Sequence, residues 1–89
     1  MISMVKTLKV SKSTDPKKLA GTIKHYLSTG RTCELLALGS HAICVSVKSL
    51  AQLKSMFGIC YLSNIEYFTC DKDGTKVSGI RFVVWLEKM

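Results

Sequence analysis

The sequence predicts an α/β fold: a β-α-β-α-β-β two-layer sandwich, with a mixed four-stranded sheet and two helices on one face. Three observations carry this prediction. Four short runs, 7–11, 33–38, 64–70 and 78–87, are alternating or continuously apolar, as strands are. Between the first three lie two longer stretches with helical spacing and cap residues at their ends. Between the last two, Asp73-Gly74 is a hairpin signal.

Each element follows in order. TLKVS (7–11) alternates, with Leu8 and Val10 on one face and Thr7, Lys9 and Ser11 on the other. Asp15 is a good N-cap and Pro16 a good first helical residue. Leu19, Ile23, Tyr26 and Leu27 form one apolar stripe, and Gly30 closes the helix. CELLAL (33–38) is nearly continuous in apolar character, which suits a central strand. The second helix starts at Gly39-Ser40, with Ser40 as N-cap, and runs to Phe57, where Gly58 stops it. Its apolar positions, Ala42 through Phe57, cover a wider arc than sitting on a sheet requires. That width predicts a homodimer through the second helix, with deep burial in the chain's own core as the alternative. NIEYFTC (64–70) and SGIRFVVWLE (78–87) complete the sheet. In the last strand Ile80, Phe82, Val84 and Leu86 face one way, and Arg81, Val83 and Trp85 the other. The two crossovers should be right-handed and join parallel strands.

Length and composition bound the function. The 89 residues make one domain, 1–89. Thirteen Lys and Arg against six Asp and Glu leave a formal charge of +7, which favours an acidic partner such as nucleic acid. No apolar run approaches a membrane span, and MISMVKTLKV lacks the apolar stretch of a signal peptide. The four cysteines have no zinc-site spacing, so neither metal nor other cofactor is expected. Cys33 and Cys44 lie in apolar segments, which predicts packed, reduced thiols and a cytoplasmic location. Enzyme chemistry is not expected: there is no Gly-rich phosphate loop and no plausible acid pair. Cys44 is three residues from His41, but a packed thiol does not suit an activated nucleophile.

LKVSKSTDPKKLAGTI, ELLALGSHAICVSVKSL and DGTKVSGIRFVVWLE together resemble the stage V sporulation protein S family, within the wider Alba-like group of nucleic-acid-binding proteins. The strand-to-helix passage LKVS…LAG and the segment from Ala37 to Lys48 are the most specific pieces, and the resemblance spans about Thr7 to Glu87. It implies the same element order, homodimers, and binding of DNA or RNA through basic loops. It also implies an architectural or developmental role of the sporulation type.

Three segments are candidate contacts for a nucleic acid. Lys9, Lys12, Lys17 and Lys18 surround the start of the first helix. Lys17 and Lys18 oppose the helix dipole there, at a cost of roughly a few tenths of a kcal/mol each. A phosphate would offset this by meeting both the ammonium groups and the free N–H groups; lysines splayed into water are the plainer reading. Ser40 and His41 at the second helix start are another anion site, or simply surface. Lys72, Lys76 and Arg81 on the hairpin could track a backbone, although Asp71 and Asp73 dilute its charge. Trp85 and Tyr67, if they share a sheet face, would offer a stacking platform, packing being the commoner use of such aromatics. The reading from a different class is a protein-interaction module whose lysines serve solubility.

Overall fold

The computed structural model describes residues 4–87. Its elements are β1 (Val5–Val10), α1 (Pro16–Ser28), β2 (Thr32–Ala37), α2 (Ser40–Phe57), β3 (Tyr61–Lys72) and β4 (Thr75–Leu86), in the predicted β-α-β-α-β-β order. The sheet order is β1-β2-β4-β3. β1 and β2 are parallel, and β4 runs antiparallel to both of its neighbours. β2 and β3 therefore point the same way, but β4 is inserted between them.

The alternation of each strand decides which face is covered. Cys33, Leu35 and Ala37 of β2 pair with Val84, Phe82 and Ile80 of β4, and all but the half-buried Ile80 are buried. Leu19, Ile23 and Leu27 of α1 and Ala42, Val45, Leu50 and Leu53 of α2 close over them. The helices pack on each other and over β1 and β2. Their contact is lined by small side chains: Ala20, Ser46 and Ser49 are fully buried. Ser46 donates to the Ala42 carbonyl at 2.9 Å, and Ser49 lies 2.9 Å from the Val45 carbonyl and 3.0 Å from that of Pro16. Buried hydroxyls are tolerated because the helix supplies their acceptors.

The other face carries no helix. On it a single polar line crosses all four strands. Thr7 of β1 donates to Glu34 of β2 at 3.0 Å; Glu34 lies 3.6 Å from Arg81 of β4; Arg81 lies 3.4 Å from Glu66 of β3.

Several boundaries differ from the sequence reading. β1 begins earlier than 7–11 because its pairing with β2 starts at Val5↔Thr32, and ends earlier because Ser11 turns away: its N–H donates to Thr14 Oγ1 at 3.0 Å. β3 and β4 are both longer than 64–70 and 78–87, with pairing continuing to Lys72↔Thr75. Asp73 and Gly74 have φ of 53° and 78°, the two-residue turn that matches strand twist and lets the ladder run up to its tip. Ser40 is the first helical residue of α2, not its cap; Gly39 is the cap and makes no side-chain bond. Cys44, expected to be packed, is exposed on the outer side of α2, whereas Cys33 is fully buried. The wide apolar arc of α2 is only partly used within one chain: Val47, Ala51 and Met56 remain exposed.

Candidate nucleic-acid interface

Parallel pairing gathers the candidate segments. Val10 and Ala37 are register partners at the ends of β1 and β2, so the 11–15 loop and the Leu38-Gly39 connection leave from one edge of the sheet. Both helices begin there. β3 ends and β4 starts at the same edge. Ala37 pairs with Ile80, which pairs with Tyr67, so the five pairs from Phe68↔Gly79 to Lys72↔Thr75 extend past the end of β2. At about 3.3 Å per residue this arm is roughly 16 Å long. Lys12, Lys17, Lys18, Ser40, His41, Lys72 and Lys76 thus belong to one edge, and Lys9 sits just below it on the open face.

At the start of α1, Asp15 Oδ1 accepts the Lys17 N–H at 3.0 Å, which satisfies one orphan amide and offsets the adjacent cations. The preceding loop is knitted by hydroxyls: Ser11 Oγ lies 3.0 Å from Ser13 Oγ and 3.2 Å from Thr14 Oγ1. Lys12 is exposed within it, and Lys17 and Lys18 are exposed on the first turn. Among the described residues no carboxylate pairs with Lys9, Lys12, Lys17 or Lys18. The Ser49 hydroxyl holds the Pro16 carbonyl, fixing this corner against the middle of α2. At the start of α2 the arrangement is plainer. Ser40 and His41 are exposed, and Gly39 supplies no side-chain acceptor.

Residues 6–87 match the family model of Stage V sporulation protein S (SpoVS). The chain belongs to the stage V sporulation protein S family. Comparison with curated proteins finds no match.

Within this SpoVS-family chain, the remaining candidates fall elsewhere. Arg81 does not join the lysine edge. Its side chain is about one third exposed and sits between Glu34 and Glu66, so its charge is spent inside the sheet face. On the arm, Asp71 faces Lys76 as a cross-strand partner, which moderates that lysine. Trp85 and Tyr67 lie on opposite faces: Trp85 pairs with Leu62 on the open face, and Tyr67 pairs with Ile80 on the helix side. No shared stacking platform exists. Tyr67 and Ile65 are instead 82% and 67% exposed, on the part of β3 that neither helix covers.

Sequence reasoning missed two groups. Lys6 and Arg31 both approach the Tyr26 ring, at 5.4 and 5.6 Å, and Lys24 lies 4.7 Å above Phe57. These cation–π contacts tie three of the thirteen basic residues to aromatic faces. The second group is a pocket at the base of the arm, lined by Leu36, Leu38, Phe68 and Cys70. Its signal in the sequence is Gly79, an isolated glycine in a strand, which marks a close approach. Among the described residues no cluster of side chains could hold a metal, and no helix is long and apolar enough to cross a membrane.

Proposed function

We propose that the chain is a homodimer that binds DNA or RNA through phosphate contacts with low sequence specificity, in a sporulation-type developmental or architectural role. The observation that carries this reading is the convergence of two helix starts and a set of unpaired lysines on one edge. Lys12, Lys17 and Lys18 are its centre; Lys9, Ser40, His41, Lys72 and Lys76 flank it. Ammonium groups and backbone amides position a phosphate but do not read bases. The family name supports the developmental role.

The second copy is assigned to the outer side of α2. Val47 and Met56 there are 51% and 47% exposed, and β3 carries two more exposed apolar side chains, Ile65 and Tyr67. An isologous contact through these residues would double the lysine edge. With about four to six phosphates neutralised per dimer, log K falls with log salt at a slope of roughly −4 to −5. Titration of labelled DNA and RNA between about 50 and 200 mM salt, with sedimentation of the free protein, tests both parts. The expected result is a dimer with that slope. Absence of binding to either polymer at low salt would instead favour the protein-interaction module, to which the same apolar surface lends itself.

A further inference from the structure

The pocket at the base of the arm opens beside the lysine edge and shares Lys9 with it. Its volume is about 310 Å³, at the small end of the range for ligand sites. Leu36, Leu38, Phe68 and Cys70 supply apolar walls, and Lys9 and Asp71 supply one cation and one carboxylate. Gly79 lies against two of these walls. A Cβ on Gly79 would lie 2.5 Å from the Ala37 carbonyl oxygen, 2.7 Å from the Phe68 ring and 2.8 Å from Leu38. Phe68 and Leu38 therefore settle onto the sheet only because that position has no side chain. Leu38 also leads directly into Gly39, where α2 begins without a side-chain cap.

We propose that this pocket receives one unpaired nucleobase of a single strand whose phosphates lie along the lysine edge. The proposal rests on the phosphate-binding reading and adds the form of nucleic acid preferred. Three features support it. An aromatic wall stacks on the π-face of any base. A carboxylate accepts from an exocyclic amine or ring N–H, while the Lys9 ammonium donates to a carbonyl or to the adjoining phosphate. The pocket is continuous with a cationic edge that would deliver the strand. Bases within a duplex are stacked and paired, and would have to be extruded before they could enter.

The test compares one oligonucleotide of about 12 nucleotides, single-stranded and annealed to its complement, by fluorescence anisotropy. The proteins are the wild type, Phe68→Leu, which keeps an apolar cover over Gly79 but removes the stacking face, and Leu38→Ala at an exposed position. The wild type should favour the single strand. Phe68→Leu should weaken single-strand binding by about 5- to 100-fold, and Leu38→Ala by less, with duplex binding unchanged. A 2-aminopurine in the strand should be quenched on binding to the wild type, a measurement that needs no variant. Equal affinity for both forms, with no 2-aminopurine response and no effect of Phe68→Leu, would overturn the base site and leave the phosphate edge standing. Failure of the wild type to bind either form would overturn both.

Discussion

The two helices begin at the same edge of the sheet but in opposite ways. α1 has its own anion, Asp15, bonded to the Lys17 N–H, and is ringed by lysines. α2 has no side-chain cap, begins after a glycine, and has no Lys, Arg, Asp or Glu in its first turn. One start supplies cations with an amide already satisfied; the other supplies amides without an acceptor. The difference teaches that the proposed anion-binding edge is a sum of unlike parts. Charge is concentrated where the backbone is already served, and unserved backbone is left where charge is sparse.

Three experiments bear on that contrast, and a fourth serves as a control. Replacing Lys12, Lys17 and Lys18 together by alanine should lower affinity for nucleic acid by on the order of 100-fold at about 100 mM salt and flatten the salt slope. A larger loss from substitutions at Ser40 and His41 would invert the comparison. A control that touches neither start is alkaline titration. Burial pushes the Cys33 thiol up from 9.0 to about 11. Its contribution to stability is complete below the unfolded value and is lost as pH rises through the folded one, because the unfolded chain releases that proton first. Denaturation midpoints should show a loss of about 2 to 3 kcal/mol between about pH 9 and 11. Burial also raises the Tyr61 hydroxyl, with the same sign. Cys33→Ala should remove most of the alkaline slope.

Gly39→Ala addresses the bare start. With φ 88° and ψ 157° the residue occupies a region reserved for glycine, so the variant should lose about 1 to 3 kcal/mol in urea unfolding. Asp15 addresses the served start, with the smallest effects. Asp15→Ala should cost about 1 kcal/mol of stability. Asp15→Asn keeps the cap and removes the charge, so stability should hold while affinity for a polyanion rises about two- to fivefold. If Asp15→Asn left affinity unchanged, the carboxylate would not be competing with a ligand, and the contrast would be structural only.

Much of the fold was legible because local chemistry and tertiary packing agree. Asp15-Pro16 starts α1, Gly58 follows the last turn of α2, and Phe82 and Val84 of β4 are buried on the expected face. Ser40 misled because a serine after a glycine looks like a cap, whereas the backbone turn is made at Gly39. The ends of β3 were hidden because Tyr61–Ser63 and Asp71–Lys72 are strand only through the partner strand. The burial of Ser46 and Ser49 could not be read from the sequence, since nothing local announces that a second helix needs small side chains there. The relation of Tyr67 to Trp85 was legible but missed: counting outward from the two-residue turn places Tyr67 opposite Ile80, not on the Trp85 face. Arg81 was not legible as a spent charge, because its two carboxylates come from different strands.

The Thr7–Glu34–Arg81–Glu66 line fixes strand alignment. Side chains alternate between faces, so a slip by one residue in any strand would swing its member of the line to the far side and break the chain of contacts. A slip would also carry the core side chains off the covered face, and these four residues add to that penalty on the open one. The same alignment sets how many residues of β3 and β4 overhang β2, so the reach of the arm is determined at the centre of the sheet rather than at its tip.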